Sequence, residues 1–414
     1  MRSDPVSWFA RLGPGMMLAA IAIGVSHLVQ STRAGADYGF SFALIITLIV
    51  VLKYPAFRFA VDYASATGES LVKGFAAHNR LALAWLAVAF FLDMFVATAA
   101  VALVTAGLFI SVFDLPFSGP QVAAMLTVLT AALLLNGRYM KAERIVRMLV
   151  VLFCALSVLA MLLALPLLGS DQREVFAAIT PDRASAAFII AAAGWMPMPM
   201  TGAVFHSMWI CEKRRAAPAQ FDHRQALLDL KVGYGLTLAI ALCFLVLGTA
   251  VLFQTERVVP QTAGAFATEL LSIFTTVIGD WSYPVIATAA IAVMWSTLLT
   301  LLDALPRVSN QLVSLIAGSK ADARSRYSAF LLIQVAGVIF LLLFLMRGFT
   351  TYIDFATGAG FVAAPALAYY SYRAVTSSAV PAAMRPGKAL TAWSWTSVAV
   401  LAICALAFFA LRLF

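Results

Sequence analysis

Eleven stretches of this chain run to about twenty apolar residues or nearly so, the length a helix needs to cross the hydrocarbon core of a bilayer. They begin near Gly13, Phe40, Ala82, Ser118, Val146, Ala184, Val232, Tyr283, Ser328, Tyr352 and Ala389. Short connections separate them, so a single transmembrane domain is expected to take up residues 1–414. With 63% hydrophobic and 11% charged residues and a mean hydropathy of +0.95, the chain has too little polar surface for a soluble globule. The first stretch carries Ser26 and His27 in its middle and continues into Ser31, Thr32 and Arg33, which argues against a cleaved signal peptide. The expected class is an all-α integral membrane protein of eleven transmembrane helices.

The net charge of +9 is unevenly spread. With the amino terminus cytoplasmic, all of the 28 Lys and Arg fall on the cytoplasmic side except Arg33, Arg173, Arg183, Arg257, Arg347 and Arg412. The excess therefore reads as topology under the positive-inside rule and excludes a nucleic-acid surface. An odd number of spans then leaves the carboxyl terminus outside, in the plasma (inner) membrane. The clusters Arg138 to Arg147, Glu212 to Arg224 and Arg307 to Arg326 read as solvated, headgroup-facing connections. Lys53 and Arg58, late in the second span, read as side chains that snorkel to the cytoplasmic face. Cys154, Cys211, Cys243 and Cys404 have no paired spacing and read as small buried hydrophobes.

A broken helix recurs. The first span, Gly13 to Ala36, is interrupted at its midpoint by Gly24, Ser26 and His27. The sixth, Ala184 to Ile210, is interrupted by Gly194-Trp195-Met196-Pro197-Met198-Pro199, whose two prolines remove backbone donors and open the helix. The breaks stand five spans apart, which divides the chain into repeat one at about 13–170, repeat two at about 184–373 and an extra span at about 389–412. Interruptions at corresponding positions of two halves point to the binding site of a secondary transporter. The plainer reading is two unrelated kinks, since Gly and Pro are common in membrane helices.

From Gly13-Pro14-Gly15 through Tyr38-Gly39-Phe40 the chain resembles, without a gap, the opening of the NRAMP (natural resistance-associated macrophage protein) family of divalent-metal transporters. Where that family carries Asp-Pro-Gly-Asn, this chain has Gly24, Val25, Ser26 and His27, so it reads as a divergent, bacterial-type relative lacking the metal motif. Ala66-Thr67-Gly68 with Leu71 resembles the family's Ala-Thr-Gly stretch, and Ser296-Thr297 its Ser-Ser-Thr stretch. Met198-Pro199 followed by His206-Ser207 resembles its sixth-span signature, with Met200 at the family's first histidine. The resemblance covers roughly residues 13 to 370 in span order. It implies a LeuT-type fold of two inverted five-helix repeats, spans 1–5 and 6–10, with helices 1 and 6 broken.

Dehydrating a dication at mid-membrane depth needs formal negative charge or many oxygen ligands. Here the family's aspartate is Gly24, and only His27 and Met198, an imidazole and a thioether, stand as ligands. A manganese, iron or magnesium carrier is therefore the alternative reading, and no transition-metal site is expected. The second halves of spans one and six each present a helix N-terminus to a break, with partial positive charge and free amide donors. Nothing acidic lies within either break, so both ends are expected to lack a counter-charge and to suit a small oxyanion. Gly24, Ser26 and His27 would hold it from one side and Met198, Met200 and Thr201 from the other. Bicarbonate is preferred, and chemistry alone does not separate it from nitrate, formate or a small carboxylate.

Anion uptake against a negative potential needs a coupled cation, and sodium is preferred over a proton. Resemblance to LeuT-fold sodium transporters puts Ser296 and Thr297 where hydroxyls of the eighth span coordinate sodium, the plainer role being bonds to their own backbone. Asp93 lies about eleven residues into the third span, ~16 Å deep at 1.5 Å per residue, where an acid is a functional hypothesis by default. It aligns with an acidic position of the family's proton route, and Val96 stands where a second acid belongs. Asp303 reads as a solvated helix end, His206 as a histidine satisfied by a neighbour, and Trp195 as a gate or a packing residue. No HExxH, no GxSxG and no phosphate-binding glycine loop occurs, so no enzyme and no cofactor is expected beyond a coupling sodium. The partners are a small inorganic ion and the lipid bilayer. A receptor that binds without flux is the third class.

Overall fold

The computed structural model describes residues 13–136, 143–168, 175–176, 178–180, 182–216, 221–253, 260–317, 323–346 and 348–413. Arg173, Arg257 and Arg347 lie outside these residues, as do 137–142, 217–220 and 318–322 within the three charged clusters.

The described residues are almost wholly helical. Numbered after the eleven apolar stretches of the sequence, the first span is α1 (Pro14–Ala22) and α2 (Ser26–Tyr38), bent by 51° at Ile23 to Val25. The second is α3 (Ser41–Thr67), closed by Gly68 at φ +72°, and a short α4 (Leu71–His78) leads to the third, α5 (Arg80–Phe113). The fourth and fifth are α6 (Gly119–Leu135) and α7 (Glu143–Ala164). The sixth is again two pieces, α8 (Arg183–Trp195) and α9 (Thr201–Ala216), separated by the Met-Pro-Met-Pro segment. Then come α10 (His223–Val251), α11 (Ala263–Ile278), α12 (Tyr283–Ala317) and α13 (Ala323–Phe340). The tenth stretch is α14 (Phe349–Ala359) and α15 (Ala364–Val375), and the last is α16 (Lys388–Leu413).

Local chemistry sets several of these boundaries. Asn79, Asp182 and Asp222 precede α5, α8 and α10, and each side chain accepts a backbone N–H of the first turn at 2.7 Å. Ser118 and Gln121 form a capping box ahead of α6. Seven helices among the described residues are long and apolar enough to cross a membrane, eight with the bent first pair counted as one span. The chain is an integral membrane protein. Two features depart from the expected layout: α11 is an apolar helix in what reads as a short connection, and the tenth stretch is broken where no interruption was expected.

The packing has a two-fold logic. Both halves of span one lie along α10 in span seven, while α9 in span six lies along α3 in span two. Spans three and eight pack on each other, as do four and nine. Span five meets seven and eight, and span ten meets two and three. Exchanging one with six, two with seven and so on leaves this set of contacts unchanged, the pattern expected of two related five-helix units.

Span one approaches α10 through glycines. A Cβ built on Gly15 would stand 2.0 Å from the Asp229 carbonyl oxygen, and one on Gly233 would stand 2.0 Å from that of Gly15. At the other end, a Cβ on Gly35 would lie 2.2 Å from the Leu245 oxygen, and one on Gly248 would lie 2.3 Å from that of Thr32. In lipid, helices associate by such close backbone packing, because moving apolar side chains from lipid to protein gains little. Gly248→Ala is therefore expected to lower stability by about 1–3 kcal/mol through overpacking. Gly235→Ala, on the same helix but with nothing within 4 Å of the added methyl, should be neutral in thermal unfolding of the detergent-purified protein.

Candidate functional site

The two breaks face each other across a small cavity of about 50 Å³, lined by α1, α2, α5, α8, α9, α12 and the residues of the breaks. Most of its wall is apolar, including Ile21, Val25, Val101, Trp195 and Phe205. The polar contributions are Ser26, Asp93, Thr201 and Thr297, with Met198 adding a thioether. Five residues singled out in the sequence therefore share one space: Ser26, Met198, Thr201, Thr297 and Asp93. Gly24 borders it, since a Cβ there would lie 3.8 Å from Thr297 Oγ1.

His27, Met200 and Ser296 do not line the cavity. His27 is fully buried and points toward span seven, its Nε2 bonded to the Thr237 carbonyl at 2.9 Å. A carbonyl only accepts, so in the neutral ring Nε2 carries the proton and Nδ1 accepts from Ser26 Oγ, 2.9 Å away. Both ring nitrogens are thus spent on protein partners, and His27 does not join Met198 as a ligand pair. Met200 is buried behind the break. Ser296 gives its hydroxyl to the Val293 carbonyl at 2.8 Å, the same oxygen that Thr297 reaches at 3.0 Å. Among the described residues no three His, Cys, Asp or Glu converge as a metal would need.

Asp93 corrects one expectation of the sequence. Its carboxylate, brought by span three, accepts a short hydrogen bond from the Thr201 hydroxyl at the first residue of α9. The helix end in span six is therefore not left without a counter-charge, because an acid 108 positions away in the chain supplies it. Asp93 opens a π-helical turn, Asp93–Ala97, and its own carbonyl is taken by the Thr98 hydroxyl at 3.0 Å. The carbonyl of Val96 accepts from Tyr352 of α14 at 3.1 Å.

A second correction concerns Lys53. It does not snorkel: the side chain is fully buried, and Nζ donates to the Gly194 carbonyl at 2.8 Å and to that of Met198 at 3.3 Å. Arg58 stays near the helix end and pairs with Asp62 at 2.9 Å, with His223 on the other carboxylate oxygen at 2.7 Å. His206 is buried away from the cavity, and among the described residues its ring nitrogens find no partner of hydrogen-bond geometry. Ser207 accepts the Leu71 amide at 2.9 Å and so ties α9 to the start of α4. Asp303 bonds Arg307 and Tyr327, each at 2.8 Å. Nothing in residue spacing could have shown Lys53 or Asp93 at the span-six break, because both contacts come from distant helices.

No protein-family profile matches the chain. An uncharacterized protein of Pasteurella multocida (strain Pm70) is 30% identical over 369 residues, 88% of this chain and 84% of that protein. Among solved structures, a mutant of the Eremococcus coleocola manganese transporter superposes with a TM-score of 0.70 at 14% identity, covering 98% of this chain and 88% of its own. MhsT in complex with L-phenylalanine gives 0.64 at 14% identity, covering 99% and 100%. The fold is thus shared with an NRAMP-type metal transporter, in agreement with the resemblance of the first span, and with a LeuT-type protein.

The Asp93–Thr201 bond has a measurable signature. Thr201→Val is expected to cost about 1–3 kcal/mol, because it strands a buried carboxylate. In an Asp93→Leu background the same change should cost little, and the difference between the two costs is the coupling that a double-mutant unfolding cycle reads.

Proposed function

The chain belongs to the same family as the uncharacterized Pasteurella multocida protein, and we propose that it is a secondary transporter that carries a small inorganic oxyanion, bicarbonate in preference, together with a proton. The observation that carries this reading is one buried carboxylate, Asp93, in a cavity of about 50 Å³ whose wall otherwise adds three hydroxyls and the Met198 thioether. The cavity suits an ion of a few heavy atoms. Ser26, Thr201 and Thr297 can offer it hydrogen bonds only by turning their protons away from His27, Asp93 and the Val293 carbonyl, while a second charge of the same sign as Asp93 is repelled. At roughly 5 Å and an effective dielectric of ~20 that repulsion is about 3 kcal/mol, on the order of a hundredfold in affinity. Protonation of Asp93 removes it. Anion and proton then enter together, and the pair crosses without net charge, which meets the need for coupling without a sodium ion.

This reading moves the coupling role from Ser296 and Thr297 to Asp93. Ser296 faces away from the cavity, and Thr297 becomes a substrate contact. Divalent-metal transport is not favoured: Gly24 stands where the family's carboxylate would be, and both nitrogens of His27 are engaged. The orientation we propose keeps the amino terminus cytoplasmic. Arg214 of α9 bonds the Ala64 and Ser65 carbonyls at one end of the bundle, the end where α1 begins beside Lys213. Arg33 pairs with Asp354 at the opposite end, at 2.6 Å. In the same reading, repeats at about 13–170 and 184–373 enclose the site.

Proteoliposome uptake tests it directly, comparing labelled bicarbonate, formate and manganese under imposed proton or sodium gradients. Inward proton gradients should drive bicarbonate uptake, with sodium indifferent. Asp93→Asn should keep binding but lose the stimulation by protons. Ser26→Ala and Thr297→Val should each raise the half-saturating concentration about 10- to 150-fold, the equivalent of about 1.5–3 kcal/mol for a hydrogen bond to a charged ligand. Saturable manganese uptake that anions do not affect would return the protein to the metal carriers.

A further inference from the structure

Lys53 is a buried amine in apolar surroundings. Its ammonium has no carboxylate at ion-pair distance among the described residues. The groups that face it are carbonyl oxygens of the span-six break, Gly194 at 2.8 Å and Met198 at 3.3 Å, with the ring of Phe361 5.9 Å away and the thiol of Cys404 from α16 nearby. Gly194 is the next-to-last residue of α8 and Met198 lies in the unwound segment. At that helix end the last carbonyls lack amide partners and the helix dipole is negative. Phe361 belongs to the turn between α14 and α15, and Gly360 of the same turn packs so tightly that a Cβ there would stand 3.1 Å from the Gly194 oxygen. The ammonium thus sits where the broken ends of spans six and ten meet, each carbonyl contact standing in for a coordination bond to an ion.

We propose that Lys53 is a tethered monovalent cation occupying a cation site built into the span-six break. The site takes a primary ammonium or a small monovalent ion, and the covalent tether keeps it filled at every stage of transport. A free cation is then not needed to hold this break. The inference is independent of the solute proposed above, since it concerns how the break is held and not what the cavity carries.

Chemical rescue tests it on the full-length protein. Lys53→Ala empties the site while leaving the carbonyls, and thermal midpoints of detergent-purified protein are read by tryptophan fluorescence. Methylammonium, potassium and choline chlorides are compared at equal ionic strength. Wild-type protein should give one midpoint in all three salts. Lys53→Ala should lose about 5 °C or more and recover at least about half of that loss, saturably, with methylammonium, less with potassium and none with choline, which is too large. A response equal in all three salts, or absent from all three, overturns the proposal. If Lys53→Ala does not accumulate, the decision passes to Lys53→Arg and Lys53→Met. Arg retains the cation and Met retains the unbranched shape, so Arg must be the more stable, and Met equal to or above Arg overturns the proposal.

Discussion

In hydrocarbon, a helix can be interrupted only where something other than water satisfies the backbone groups that the interruption frees. This chain interrupts spans one, six and ten, and at the first two it meets that constraint with backbone and side-chain groups together. At the first break the Gly24 amide reaches the Ala22 carbonyl at 2.8 Å, while Ser26 gives its proton to His27. His27 then pins the restarted helix to the Thr237 carbonyl of span seven. At the second break the direction is reversed, since Lys53 of span two donates into the break, to Gly194 and Met198. Spans seven and two are counterparts under the exchange of halves. Each break is therefore held by the corresponding neighbour, with an imidazole in one half and an ammonium in the other.

Because the frame holds itself, the cavity is left with a short list of groups. Removing His27 from the cavity wall, and Ser296 with it, leaves hydroxyls, one thioether and one carboxylate. The electrostatic question narrows to a single proton on Asp93. The NRAMP-like frame and the missing metal ligand are compatible on this view. The carboxylate that the resemblance would place in the first span is Gly24, the acid of the third span remains as Asp93, and fold alone does not dictate substrate.

Much of the frame is legible in the sequence, because its causes are local. Runs of apolar residues announce helices, and Gly194 with Pro197 and Pro199 breaks one of them whatever the surroundings. Gly24 plays the same part in the first span. The break in span ten, near Gly358 and Gly360, carries no paired prolines and is lost among ordinary membrane-helix glycines. The site is less legible, because its decisive contacts cross the bundle. An isolated Lys in an apolar stretch has snorkelling as its default, and only the carbonyls of residues more than 140 positions away make burial tolerable for Lys53. Asp93 is recognisable as unusual from its depth, but its partner Thr201 is not. His27 has the composition of a ligand and the geometry of a strut.

The π-helical turn at Asp93–Ala97 has a further consequence for span three. Such a turn accommodates one residue more than an α-helical turn would, and each residue advances the winding by about 100°. The cavity-facing side of α5 at Asp93 and the side that carries Gly107, which packs against Ala263 of α11, are thus set in phase by that extra residue. Unwinding the bulge would turn one face against the other by about a quarter of a revolution. The acid and the outer helix are thus held in one rotational register through the pitch of a single helix.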